Sequence, residues 1–215
     1  MNQQKIIAAV AEEVKKMLVG EGSGHDWWHI VRVWKMAERI GQEEKADMFV
    51  VELAALVHEL GDEKINRGEE RHERAGRLLL AHAVDTDTRN RVMDIISRMS
   101  FRENIGVRQA LSLEGRVVQD ADRLDAMGAI GIARAFAFGG KMNRPLHDPA
   151  APAKNHTEKA QYTKRDGTTI NHFYEKLLLL KDRMNTKTAK RLARGRHAFM
   201  KRYLRKFFEE WKEEI

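Results

Sequence analysis

The sequence predicts an all-α fold, a helical bundle with a C-terminal helical extension. Three observations carry that expectation. Apolar residues recur at helical spacing along most of the chain, and no segment alternates convincingly with period two. The three prolines, Pro145, Pro149 and Pro152, all fall in one short stretch. The 215 residues suit one domain, with a core at about 20–140, an irregular loop at 140–154 and closing helices at about 160–212.

A first helix is expected from about Gln3 to Leu18, with Ile6, Ile7, Val10, Val14, Met17 and Leu18 inward; the GEGSG segment, Gly20 to Gly24, ends it. A second runs from about Asp26 to Gln42. Trp27, Ile30, Val31 and Trp34 make one apolar face, and Val33, Met36 and Ile40 make another. A helix apolar over much of its circumference belongs in the middle of a bundle. The third, about Ala46 to Leu60, contains FVVELAALVHEL and is apolar nearly all round, with Gly61 closing it.

A polar connection, Asp62 to Gly68, leads to helices at about Glu69 to Ala83 and Asp87 to Met99. A long segment from about Gly115 to Phe138 carries Gly128 and Gly131, small residues that let helices approach closely, and Gly139-Gly140 ends it. Two helices close the chain: one from Tyr162 or Ile170 to Met184, the other from Thr186 to Trp211, with Thr186 as its N-cap.

Composition excludes several kinds of function. Without cysteine there is no disulfide framework, thiolate metal site or thiol nucleophile, a pattern that fits a reducing cytoplasm. No apolar stretch reaches the roughly 18 residues a membrane span needs. The N-terminus MNQQKIIAAVAEEV does not read as a secretion signal. The net charge of +7 is unevenly placed. Between Lys181 and Lys206 stand eleven Lys/Arg and one acid, Asp182, a net of +10 that leaves −3 for the rest. Such an arm is either a solvated face or a surface for an anionic polymer.

The informative residues are polar groups on the most apolar helices. His29 shares a face with Val33, Met36 and Ile40. His58 shares one with Val51, Ala54 and Ala55; Glu59 follows it, and Asp62 lies one turn on. Asp120, Asp122, Arg123 and Asp125 stand on a helix otherwise made of Val117, Val118, Ala121, Leu124 and Ala126. Burying imidazoles or carboxylates unpaired costs several kcal/mol. Either each finds its own hydrogen-bond partner in the core, or all share one. A divalent ion suits this donor set, with Mn, Mg, Fe, Ni, Co and Zn all open.

The pattern His29 … His58-Glu59 … Asp122 resembles the H…HD…D signature of the HD-domain superfamily of metal-dependent phosphohydrolases. The similarity covers nearly the whole chain: GHDWWHIVRVWKMA, VELAALVHELGD, VVQDADRLDAMGAIGIARAFAFGG and the C-terminal helices all look like their counterparts in small stand-alone bacterial HD hydrolases, nucleotide pyrophosphohydrolases among them. The QDADRLDAMGAIG string is the most specific part.

The resemblance implies His29, His58, Glu59 and Asp122 as metal ligands, with His25 competing for the place of His29. It implies Asp62 as the general base beside an attacking water. Lys64, Arg67, His72, Arg123 and Asp125 become substrate contacts, Asp125 alternatively supporting a ligand, and His72 alternatively a ligand to a second metal or a solvated side chain. Asp120 ranks below these. The implied reaction is hydrolysis of a small phosphorylated substrate, a nucleotide by preference, through a metal-activated water. Glu59 departs from the family pattern, which has Asp there. Three outcomes are open: the backbone adjusts and activity persists, metal preference shifts, or the site binds metal poorly and is inactive. The favoured one is retained metal binding with activity equal or reduced, and for Glu59→Asp an activity equal or higher.

Two rival readings stand beside the enzyme. One is a nucleic-acid-binding module using the basic arm, its HD site vestigial; Phe199, Tyr203, Phe207 and Phe208 fall at helical spacing there and read as the arm's core face rather than as base-stacking groups. The other is a structural bundle whose arm mediates homo-oligomer formation.

Overall fold

The computed structural model describes residues 2–20, 24–61, 72–154 and 167–213, and among these every regular element is helical. The α-helices are α1 (Gln3–Met17), α2 (Trp27–Glu44), α3 (Met48–Val57), α4 (Glu73–Ala81), α5 (Thr86–Arg98), α6 (Leu113–Asp125), α7 (Gly128–Lys141), α8 (Thr169–Glu175) and α9 (Lys187–Glu213). Tighter 3-10 turns follow α3 (His58–Gly61), α5 (Arg102–Asn104) and α8 (Leu177–Arg183).

α3 is the centre of the bundle. It packs against α1, α2, α5 and α6, and Val50, Val51, Leu53, Ala54, Ala55, Leu56 and Val57 are all buried. Burying a Leu or Val side chain contributes about 1.5–3 kcal/mol, so this one segment is a large part of the driving force for collapse. α2 lies across α3 and α6 and buries Ile30, Val33, Ala37 and Ile40. At Gly41 an added Cβ would stand 2.8 Å from the Met48 sulfur, so the flexible end of Met48 fills the space beside this glycine.

Local signals set the helix starts. Asn2, Asp26, Asp47, Asp85, Ser112 and Thr168 each accept a backbone N–H of the helix they precede, satisfying donors that the first turn leaves without partners. Thr186 does the same for α9, accepting from the Ala189 N–H at 3.2 Å.

The structure departs from the sequence-based expectation in four places. The segment expected as one helix from Gly115 to Phe138 is two helices, α6 and α7, turned at Gly128 (φ +73°), a conformation that favours glycine. Gly139 and Gly140 lie inside α7, which runs on to Lys141. The helix expected up to Met184 is a short α8 followed by the 3-10 turn at 177–183. Finally, α3 ends at Val57 and tightens into a 3-10 turn at His58, inside the expected helix. That tightening matters, because it sets the direction of His58 and Glu59.

Candidate metal centre

Three stretches of chain meet beside α3. Asp26 accepts the His29 N–H at 2.9 Å and starts α2, so His29 enters the first turn with its ring wholly buried. His58 and Glu59 come from the 3-10 turn after α3, and Asp122 from the last turn of α6. One donor atom from each of His29, His58, Glu59 and Asp122 falls in a cluster whose members all lie within 4.8 Å of one another. The Nε2 atoms of His29 and His58 are 3.2 Å apart. Glu59 Oε1 is 3.1 Å from the first and 3.6 Å from the second; Asp122 Oδ1 is 3.6 and 4.0 Å from them.

The outer edges of both imidazoles are already committed. His58 donates from Nδ1 to the Ala55 carbonyl at 2.8 Å, and His29 donates from Nδ1 to Asp125 Oδ2 at 2.7 Å. With the proton on Nδ1, each neutral ring presents the Nε2 lone pair to the cluster. Two lone pairs facing one another at 3.2 Å repel unless a proton or a metal cation lies with them.

In the metal-free protein a proton takes that place. Burial works against charge on His58, but the hydrogen bond and charge of Glu59 outweigh it, with Asp122 adding to them, and push its pKa up to about 9. Glu59 shows the mirror image: burial would raise it, yet the three histidines hold its carboxyl well below the usual carboxylate range. Glu59 Oε2 is buried with no hydrogen-bond partner among the described residues, a costly state for a carboxylate oxygen that a cation would relieve. Two imidazoles, two carboxylates and an orphaned oxygen fit a divalent ion of the borderline type. Asp122, one-third exposed, marks the open side of the cluster.

His25 stands just outside this set. Its Nδ1 lies 2.9 Å from Glu59 Oε1, so the structure sets His25 beside the carboxylate, and His29 is the residue among the four donors. Asp125 lies under His29 rather than at the open mouth. Its carboxylate also accepts from Arg32 (Nε, 2.7 Å) and Arg134 (Nη1, 2.9 Å), which with His29 hold it far below the usual range against the opposing effect of burial.

Arg123 is buried and donates to the Arg183 carbonyl, away from the four donors; burial lowers its pKa to about 10, while Asp120 and Asp122 oppose that shift. Asp120 is wholly buried and accepts from the Asn185 and Thr186 N–H groups and the Thr186 hydroxyl at 2.8–3.0 Å, so it anchors the start of α9. His72 immediately precedes α4, which packs on the His58–Gly61 turn. Asp62, Lys64 and Arg67 lie outside the described residues.

Sequence reasoning did not single out Arg32 and Arg134. Arg32 is three residues from His29 and so shares its helix face, a spacing that could have been read; nothing local marks Arg134.

Residues 27–127 match the HD domain family. The Bacillus subtilis protein YpgQ is 42% identical over 207 residues, 95% of this chain and 93% of that protein. The chain belongs to the HD-domain superfamily. Among solved structures, an HD-superfamily hydrolase from Bacillus thuringiensis is 41% identical, covers 98% of each chain and superposes with a TM-score of 0.74. A Lactobacillus plantarum protein gives 0.90 at 38% identity, covering 99% of this chain and 100% of that one. YpgQ itself, solved in complex with ADP, gives 0.77 at 39% identity over 98% and 97%. The HD cluster is thus set in a helical framework shared along almost the whole chain. No helix among the described residues is long and apolar enough to cross a membrane.

Proposed function

We propose that this HD protein is a metal-dependent phosphohydrolase that cleaves a phosphate ester or anhydride of a nucleotide. The observation that carries this is the convergence of His29 Nε2, His58 Nε2 and the Glu59 and Asp122 carboxylates, with both Nδ1 atoms held from behind. The ADP complex of YpgQ favours a nucleotide over other small phosphates.

His29, His58, Glu59 and Asp122 would hold the ion. When bound, a divalent ion lowers the pKa of a coordinated water and offsets charge on a phosphoryl oxygen. His29, His58 and Glu59 are buried while Asp122 is one-third exposed, so a substrate would reach the ion from the Asp122 side. Asp62 is the proposed base that orients and deprotonates the nucleophile. Lys64, Arg67 and His72 are the proposed phosphate contacts, as groups that follow the His58–Glu59 pair in sequence and whose charge would offset that of a phosphate. Arg123 fits that role less well, since its guanidinium is engaged with the 177–183 turn.

The basic arm lends less to a nucleic-acid reading than its charge promised. Several of its cations are used internally: Arg191 with Glu43 at 2.7 Å, Arg196 with the Leu124 carbonyl, Arg205 and Lys206 with Glu209 and Glu210 one turn on. Tyr203, Phe207 and Phe208 pack against the core as expected, but Phe199 is exposed, with the Arg202 guanidinium over its ring.

A hydrolysis screen of nucleoside tri-, di- and monophosphates with Mn, Mg, Ni, Co or Zn tests the proposal. Phosphate or pyrophosphate release that vanishes in chelator and in His58→Ala is the expected result. Full activity in excess chelator, or no turnover of any nucleotide with any metal, would sink it.

A further inference from the structure

Two aspartates of α6 bracket one imidazole. Asp122 and Asp125 are three residues apart and lie on the same helix face. Asp122 reaches the Nε2 edge of His29 and Asp125 reaches the Nδ1 edge, at 3.6 and 2.7 Å. The two therefore do different work on the same ring. Asp122 shares the open cluster with Nε2, whereas Asp125 is a buried acceptor on the opposite edge of the ring.

The orientation of Asp125 is itself over-determined. Arg32 grips both oxygens, with Nε on Oδ1 at 2.7 Å and Nη2 on Oδ2 at 3.1 Å, and Arg134 adds Nη1 on Oδ2 at 2.9 Å. Arg134 also donates from Nε to the Gly24 carbonyl at 2.7 Å. Gly24 precedes His25, whose ring is bonded to Glu59. One carboxylate thus fixes the His29 ring directly and, through Arg134, the chain segment that holds the Glu59 carboxylate.

We propose that Asp125 is the positioning residue of the centre: it fixes the Nδ1–H form of His29, so that the Nε2 lone pair faces the metal position, and through Arg134 it ties down the Gly24–His25 segment. A carboxylate can only accept from Nδ1. Asp125→Ala removes that acceptor and leaves the Arg32 and Arg134 guanidinium donors beside the ring, because both bond the same Oδ2 that His29 uses. With only donors on that side Nδ1 accepts, the proton shifts toward Nε2, and the ligand lone pair is lost.

The proposal rests on the metal-site reading, so its test reads the metal-free protein first. Long-range ¹H–¹⁵N spectra of the imidazole nitrogens of chelator-stripped protein should show His29 protonated at Nδ1 in the wild type and shifted toward Nε2 in Asp125→Ala. Calorimetric titration with Mn²⁺ alone should show affinity weakened about 10–100-fold in Asp125→Ala, the range typical of lost ligand-orienting partners. Arg134→Gln, which keeps the Asp125–His29 bond, should retain the wild-type form of His29 and lose less affinity.

A wild-type His29 protonated at Nε2 and not at Nδ1 overturns the proposal even if Asp125→Ala fails to fold. So does a folded Asp125→Ala with an unchanged ring form and unchanged Mn²⁺ affinity, which would leave Asp125 as a counter-ion for the arginines. Failure of the hydrolase reading would appear differently, as a correctly protonated, Mn²⁺-binding protein that cleaves no nucleotide.

Discussion

Glu59→Asp tests whether this centre is built around the longer acid. The substitution keeps the charge and withdraws the carboxylate by one carbon–carbon bond, about 1.5 Å. Glu59 Oε1 is 2.9 Å from His25 and 3.1 Å from His29. Withdrawal by that amount takes both contacts beyond hydrogen-bond range. The lost charge-assisted bond to His25 is worth about 1.5–3 kcal/mol and the void left by a buried methylene about 1 kcal/mol. The metal-free variant should therefore be less stable by about 3 kcal/mol, or about 6–12 °C in Tm for a chain of this size.

The effect on the metal has the opposite sign from the one the family pattern implies. In that pattern a shorter acid belongs at this position, and restoring it should leave activity equal or raise it. Here His25 holds the longer arm, and the two imidazoles and Asp122 are arranged around where its oxygen lies. Affinity for Mn²⁺ should fall at least about tenfold, and turnover by about 10²-fold, the usual cost of a misplacement near 1 Å. Calorimetric titration of stripped protein and nucleotide hydrolysis at saturating Mn²⁺ measure the two. Unchanged affinity with equal or faster hydrolysis would refute the reasoning and show that the 3-10 turn at His58–Gly61 shifts to carry an aspartate to the same place.

Further outcomes follow from the same geometry. His58 has its pKa raised from 6.5 to about 9 in the metal-free protein, so its protonation contributes stability that is fully present below pH 6.5 and lost as pH rises through 9. The linkage amounts to about 3 kcal/mol. Thermal melts of stripped protein should drop across that window and flatten in His58→Gln; a flat wild-type profile would show that the proton is not held there. Mn²⁺ must displace this proton, so its binding should release about one proton near pH 7.5, read as a buffer-dependent calorimetric enthalpy. Asp120→Ala strands the Asn185 and Thr186 N–H groups in a buried site and should cost about 3 kcal/mol, yet leave Mn²⁺ affinity within about twofold, because Asp120 faces α9 rather than the cluster; a large loss of affinity would place it in the centre after all. Gly131→Ala would drive its Cβ into the Ala126 carbonyl and should destabilise by about 1–3 kcal/mol or more, checked by denaturant titration.

What could be read from the sequence follows from how local each cause is. Helix type and order were legible because apolar periodicity and Asp, Ser and Thr caps act within a turn or two. Asp26 starts α2 and Asp47 starts α3 through their own side-chain oxygens, although Asp47 also meets Arg91 and Glu114. The turn between α6 and α7 was not legible from periodicity, since both helices are apolar at helical spacing on either side of it. Its cause is steric: Gly128 adopts positive φ, and the backbone of Ala126 fills the space a side chain at Gly131 would need. The four donors were legible as polar residues on apolar helices, which a chain resolves either with a hydrogen-bond partner for each or with one partner shared by all. Asp120, Asp122 and Asp125 were harder. They are the same residue within two turns of one helix, and their separate work is set by what stands opposite: the start of α9 for Asp120, the Nε2 edge of His29 for Asp122 and its Nδ1 edge for Asp125. Helical geometry already separates the first from the other two, because a residue two positions before Asp122 projects about 200° around the helix while one three positions after it returns to the same face. It cannot say which edge of an imidazole each carboxylate will meet. That distinction depends on the crossing of α2 over α6, and it divides an aspartate that shares the metal position from one that only holds its neighbour in place.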